Sequence, residues 1–181
     1  GLMCQDMYIR AILPVTNGQN TGIIQMAVPG YDIDESGHLA MDFGRCQAAL
    51  KELKQLHVRH YVCLTTLSEI GPEETGDIRD LVARQDIKSH HLPIEDYAKP
   101  DGNFLSAWRN VSPQLQACLD AGDGIALQCL AGYGRSGTIA ALLLIERGMA
   151  PDTAIETVKR ISGESIESSV QLDFLLSRPT L

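Results

Sequence analysis

The segment Ile125-Ala126-Leu127-Gln128-Cys129-Leu130-Ala131-Gly132-Tyr133-Gly134-Arg135-Ser136, followed by the apolar run Ile139–Ile145, decides the reading of this 181-residue chain. Ile125–Gln128 has the short, mostly apolar character of a buried strand and leads straight into Cys129. Gly132 and Gly134 permit the backbone angles of a tight loop. A helix is predicted from Ser136 to about Arg147. It is apolar on nearly all sides, as central helices are. Such a strand–loop–helix turn can aim successive backbone N–H groups at one centre and make an anion nest. The helix N-terminus adds its positive end. Arg135 can grip two phosphoryl oxygens with its planar fork, which Lys could not match. The same field favours the thiolate, the nucleophilic form of cysteine. The segment therefore reads as a phosphate cradle running from Cys129 to Ser136. Cys129 is its nucleophile and Arg135 its phosphoryl clamp. Ser136 is placed to hydrogen-bond the sulfur as it leaves. Leu130, Ala131, Gly132, Tyr133 and Gly134 supply the rest of the substrate-binding loop.

Spacing alone carries little of this weight. Cys4 and Arg10 stand at the same separation as Cys129 and Arg135, with no glycine between them and no hydroxyl after the arginine. Strand, glycines, Ser136 and buried helix separate the second pair from the first.

Outward from the loop, short apolar strands alternate with helical patterns. Ile23–Val28, Tyr61–Leu64 and Lys88–Leu92 read as further strands. Asp42 can cap a helix that places Phe43, Cys46, Leu50, Leu53 and Leu56 on one face. Asp77–Gln85 reads as a second helix, preceded by Glu73-Glu74 in a solvated turn. Residues 93–103 read as a loop. Phe104, Trp108, Val111, Leu115 and Leu119 form a helical stripe interrupted by Pro113, and amphipathic helices close the chain near 151–161 and 168–177. This alternation predicts an α/β fold with a central, mostly parallel sheet of four to five strands flanked by helices.

A net charge of −8 disfavours nucleic acid and anionic lipid surfaces as partners. No apolar run reaches the roughly 18 residues of a membrane span, and the N-terminus lacks the pattern of a signal peptide. Five cysteines without a C-x-x-C pair suggest neither a disulfide framework nor a zinc site. Free thiols point to a reducing, cytoplasmic setting. His57, His60 and the pair His90-His91 match no metal-ligand spacing. Neither metal nor cofactor is expected, and the chain reads as a monomer.

The loop resembles the signature of the protein tyrosine phosphatase superfamily, His-Cys-x5-Arg-Ser/Thr. The likeness points to its dual-specificity branch, most of all the cyclin-dependent-kinase-associated phosphatase group. It continues in Ile24-Gln-Met-Ala-Val-Pro-Gly30, in Tyr61–Glu69, in His90-His-Leu-Pro-Ile-Glu-Asp96, and in Ser162-Gly163 with Ile166-Glu167 and Gln171. About residues 23 to 176 are covered. The resemblance implies a single phosphatase domain over 1–181, with a partly irregular N-terminal segment, 1–22. It implies hydrolysis of phosphotyrosine, and of phosphoserine or phosphothreonine, in a phosphorylated protein or a small phosphomonoester, through a phosphocysteine intermediate. It makes Asp96 the general acid, with Asp101 and Glu95 as alternatives, and gives Gln171 a part in orienting water. Glu167 stands where many members have glutamine, and is expected to point away or to serve another role. Cys63 becomes a redox partner for Cys129, or else a small core residue. Gln128 replaces the family histidine and keeps its hydrogen bonding without its charge. Two other functions stay open: a pseudophosphatase that only binds phospho-ligands, and a phosphoinositide phosphatase. The loop lacks the lysines that lipid enzymes of the superfamily often carry.

Overall fold

The computed structural model describes residues 7–179. Its main sheet has five strands: β1 (Ile9–Leu13), β2 (Ile23–Met26), β5 (Val58–Cys63), β6 (Lys88–His91) and β7 (Gly124–Gln128), in the spatial order β1-β2-β7-β5-β6. Every pairing is parallel except that of the edge strand β1 with β2. A separate two-stranded ribbon pairs β3 (Tyr31–Ile33) with β4 (Leu39–Met41). The central strand β7 is buried at every position. Both of its faces are covered, so its sequence runs apolar without alternation.

Six helices lie wholly within the described residues: α1 (Phe43–Gln55), α2 (Pro72–Arg84), α3 (Gly102–Asp120), α4 (Gly134–Glu146), α5 (Pro151–Ile161) and α6 (Ser169–Leu176). Helices α3 to α6 share one core with Val62, Leu64, Leu127 and Cys129. Helices α1 and α2 pack on the opposite face, over Tyr61, Cys63 and Ala126. Helix α4 is buried from Gly134 through Ile145. Each of its fully enclosed leucines and isoleucines contributes roughly 1.5–3 kcal/mol by leaving water. That burial fixes the helix whose first turn carries Arg135 and Ser136.

Several boundaries differ from the sequence reading. Within the segment 1–22, Ile9–Leu13 forms β1, an edge strand whose buried Ala11 and Leu13 alternate with half-buried Arg10 and Ile12. The ribbon was invisible because its strands are three residues long, and Ile33 and Leu39 lie exposed. Helix α2 begins at Pro72, so Glu73 and Glu74 occupy its first turn instead of a solvated turn. Proline suits the first helical position, and carboxylates there complement the helix dipole. Pro113 does not interrupt α3; it sits on the exposed face, where the carbonyl it leaves unpaired can reach water. Asp42 caps α1 as expected, by accepting from Arg45 N at 3.0 Å. Phe43 is exposed, while Cys46, Leu50 and Leu53 form the buried face.

Candidate active site

Cys129 follows the C-terminal end of β7, the sheet edge at which ligands of open parallel sheets bind. Both neighbouring strands fix its position. Cys129 N donates to Met26 O at 3.2 Å, Val28 N donates to Leu130 O at 3.3 Å, and Leu64 N donates to Gln128 O at 2.8 Å. The loop then turns at Gly132, whose φ of +90° suits glycine. A Cβ there would strike the backbone of Met26 and Ala27 and the stem of Arg10. Gly134 has ordinary helical angles and is needed for space: the Glu167 carboxylate lies against it. Glu167 therefore does not point away from the loop; it sits on its rim.

The loop closes around sulfur. Gly132 N donates to Cys129 Sγ at 3.3 Å, and Ser136 Oγ lies 3.5 Å from the same atom. Cys129 is 2% exposed. Leu130 packs toward the α1–α2 core, Tyr133 is half-buried, and Ala131 faces solvent.

Arg135 is buried and held from behind. Its Nη1 donates to Glu69 Oε1 at 2.6 Å and to Ile94 O at 2.9 Å, and its Nη2 donates to Glu69 Oε2 at 2.8 Å. Glu69 in turn accepts from Thr66 N at 2.9 Å and Thr66 Oγ1 at 3.0 Å. Burial is the largest influence on Arg135 and opposes its charge, yet the bonds and charge of Glu69, with Cys129 and Asp96, hold its pKa above the ordinary value. Burial likewise pushes Glu69 up, but the bonds from Arg135 and Thr66 together keep it below the usual carboxylate value. A guanidinium has five N–H donors. With Nη1 and one side of Nη2 engaged, the Nε–Nη2 edge remains for a ligand. Asp96 borders that edge, its Oδ1 lying 3.3 Å from Nη2.

The acid loop is more open. The Asp96 side chain is 48% exposed and accepts from Tyr97 N at 3.1 Å. Of the alternative acids, Asp101 is engaged as the cap of α3, accepting from Phe104 N at 2.8 Å, and Glu95 is exposed.

Gln128 takes part in a buried chain of bonds. It accepts from Tyr61 Oη at 2.8 Å and donates to Thr65 Oγ1 at 3.1 Å and to Cys129 O at 3.2 Å. Gln171 is fully buried. Its Oε1 accepts from Glu167 N at 2.9 Å and Ser168 N at 3.2 Å, and its Nε2 donates to Ala98 O at 3.1 Å. These bonds make it a clamp between α6 and the acid loop, where the resemblance suggested a water-orienting group. Cys63 pairs with Gln128 across the sheet and faces the α1–α2 core, whereas Cys129 faces the other core. Its sulfur lies 3.3 Å from Thr65 Oγ1. The geometry thus places Cys63 and Cys129 on opposite faces, an arrangement that suits a core residue better than a disulfide partner.

His60 and His90 meet each other, Nδ1 to Nε2, at 3.0 Å. Burial first, then His60, lowers His90 to about 4, and burial also lowers His60, so the pair is neutral near pH 7. Cys4 of the decoy pair lies outside the described residues, but Arg10 reaches the cradle: its Nε donates to Ala131 O at 2.9 Å. Sequence reasoning missed Arg10 and the clamp made by Glu69. Both act across more than 60 positions of chain, and no local pattern marks either.

A cysteine centred in a glycine-turned loop, with an arginine clamp and a facing carboxylate at the C-terminal edge of a parallel sheet, defines the cysteine-phosphatase class. Residues 32–174 match the family described as PTP-SAK: Swiss Army Knife protein, DSP-PTPase phosphatase domain, and the chain belongs to that family. Cyclin-dependent kinase inhibitor 3 of Rattus norvegicus is 28% identical over 132 residues, covering 71% of this chain and 61% of that protein. Protein tyrosine phosphatase type IVA 3 of Bos taurus is 35% identical over 83 residues, covering 46% of this chain and 47% of that protein. The chain thus spans less than two thirds of the length of these relatives. The solved structure of kinase associated phosphatase, with its catalytic cysteine replaced by serine, has the same fold, with a TM-score of 0.72 at 22% identity over 92% of this chain and 90% of that one.

Proposed function

We propose that this chain is a single-domain, cysteine-dependent phosphatase that hydrolyses phosphomonoesters of proteins or small molecules, acting on phosphotyrosine and on phosphoserine or phosphothreonine. The observation that carries the reading is Arg135: buried, locked by Glu69 and Ile94, with one edge left facing Asp96. A purely structural arginine would have no need of an edge turned to an exposed carboxyl group.

The chemistry follows from the positions. A phosphoryl group seated on the loop N–H groups takes the Nε–Nη2 edge of Arg135. The Cys129 thiolate attacks phosphorus, and a sulfur–phosphorus bond forms as the bond to the leaving oxygen breaks. Asp96 gives that oxygen its proton. In the second step a water attacks phosphorus and Asp96 takes its proton. The sulfur–phosphorus bond breaks, Ser136 hydrogen-bonds the departing thiolate, and inorganic phosphate is released. Gln128 supports the loop through its bond to Cys129 O, a role that needs a donor but no charge.

Leu130, Ala131 and Tyr133 in the loop, and Glu167 on its rim, disfavour a polyanionic lipid headgroup. The net charge of −8 argues against nucleic acid. The reading includes a monomer in the cytoplasm; the described cysteines 46, 63, 118 and 129 are all unpaired, as a reducing compartment would keep them. Among the described residues no helix is long and apolar enough to cross a membrane. The test is aryl-phosphate turnover. Hydrolysis by the native chain that Cys129→Ser abolishes supports the enzyme. Orthovanadate binding with no turnover at any pH would make the chain a binding module instead.

A further inference from the structure

Arg10 lies on the edge strand β1, separated from β7 by β2. Its side chain nonetheless reaches the cradle in several ways. Nε donates to Ala131 O at 2.9 Å, and Nη1 donates to Met7 O at 3.0 Å. Its Cζ stands 5.4 Å from the centre of the Tyr133 ring, within cation–π range. Its Cγ occupies the space that a Cβ on Gly132 would need.

The consequence lies in the peptide plane between Ala131 and Gly132. In a trans peptide the C=O and N–H point in opposite directions, and the described chain contains no cis bond. Ala131 O is drawn outward to Arg10. The N–H of Gly132 must then point inward, and it is the group that donates to Cys129 Sγ at 3.3 Å. Nothing in the covalent chain enforces this orientation. Reversing the plane would change φ of Gly132 from its present +90° to a negative value, and glycine accepts either sign. The reversed plane would turn a carbonyl oxygen toward the thiolate and the incoming phosphoryl group, both negative.

We propose that Arg10 is a positioning residue that locks the Ala131–Gly132 peptide in its anion-binding orientation, with the Tyr133 ring as the seat of the guanidinium. The role rests on the phosphatase reading of the loop. It concerns a hydrogen bond to a carbonyl, so it is separable from any general effect of positive charge.

Two substitutions in the full chain test it. In Arg10→Gln the amide nitrogen stands as far along the side chain as Arg Nε, so a donor to Ala131 O remains without the charge. In Arg10→Met a methyl group takes that place and the donor is gone. The readouts are the rate of Cys129 alkylation by neutral iodoacetamide, orthovanadate affinity and aryl-phosphate kcat/KM, with the thermal midpoint as a check on folding. Arg10→Met is expected to slow alkylation and weaken vanadate binding about tenfold, and Arg10→Gln to recover most of both. Equal losses in the two variants that vanish in 1 M salt would mean a charge effect, and would overturn the lock. So would wild-type values in Arg10→Met. Should Arg10→Met not fold, Tyr133→Leu removes only the seat and is expected to act in the same direction, about threefold; no effect there would also overturn the lock. Alkylation and vanadate binding report the loop without turnover. Wild-type protein that binds vanadate in an Arg10-dependent way but hydrolyses nothing therefore leaves the lock standing and removes the phosphatase reading.

Discussion

The cradle and the acid loop meet at Arg135 but are held by different physics. The cradle is built by burial: Cys129, Arg135 and Ser136 are each no more than 2% exposed, and the strands on both sides bond its first residues. The acid loop lies on the surface, held by a few directed bonds. Ser168 Oγ donates to Tyr97 O at 2.7 Å, Gln171 Nε2 donates to Ala98 O at 3.1 Å, and Arg135 Nη1 donates to Ile94 O at 2.9 Å. Tyr97 has a φ of +62° and is 59% exposed. On the proposed mechanism, a preformed anion site paired with a lightly tethered proton donor suits a reaction in which the phosphoryl group must be held while the acid moves with the leaving group.

This contrast predicts that damage to the cradle costs both binding and rate, while damage to the acid loop costs rate alone. Arg135→Lys is expected to give the broader effect, on binding as well as on rate. Lysine cannot span two phosphoryl oxygens and would leave one Glu69 oxygen without its donor. A fall in kcat of about 10²–10³, the range for loss of a transition-state donor, should accompany a rise in vanadate Kd. Asp96→Asn should lower kcat by roughly 10²–10⁴ with vanadate affinity nearly unchanged. Its loss should shrink on aryl phosphates whose leaving groups depart without a proton. A variant at Asp96 that loses vanadate binding in step with kcat would break the division between the two regions.

What the sequence revealed follows the same division. Strand β7, the loop and the start of α4 are contiguous, so apolar run, glycines and arginine could be read in one line. The helix starts at Gly134, two residues earlier than Ser136. Asp96 came from resemblance; an aspartate in an exposed loop has no local mark. Glu69 and Arg10 reach the site only through the order of strands, which sets the C-terminal ends of β5, β7 and β2 beside the start of the antiparallel β1. Cys63 shows why face counts as well as position along a strand. It ends its strand beside the nucleophile's, but its partner is Gln128, and adjacent residues of a strand point to opposite faces.

Glu69 joins the two regions, so its variant should sit between them. Its folded pKa lies below its ordinary value of 4.5, so protonation favours the unfolded chain. Its contribution to stability is present above about pH 4.5 and is lost as pH falls through the lowered folded value. In melting curves from pH 6 to pH 3, the native chain should lose more stability than Glu69→Gln does. At neutral pH, Glu69→Gln is expected to lower kcat/KM by about tenfold to a hundredfold, since Arg135 keeps a partner oxygen but loses the opposing charge. Parallel melting curves would remove Glu69 as the group that holds the clamp in place.

The smallest effect is expected at Gln171. Replacing it with Leu keeps the bulk but leaves Glu167 N, Ser168 N and Ala98 O without that side chain. Buried groups stripped of their partner cost about 1–3 kcal/mol each at most, and those near the surface regain water. Stability should therefore fall modestly, while kcat falls only a few-fold because Ser168 and Arg135 still hold the acid loop. The informative readout is local. Amide exchange should quicken at Tyr97 and Ala98 and at the start of α6, and stay unchanged at Gly132 and Ser136. Faster exchange in the cradle as well would mean that the two regions open together, and that the acid loop is an extension of the anion site.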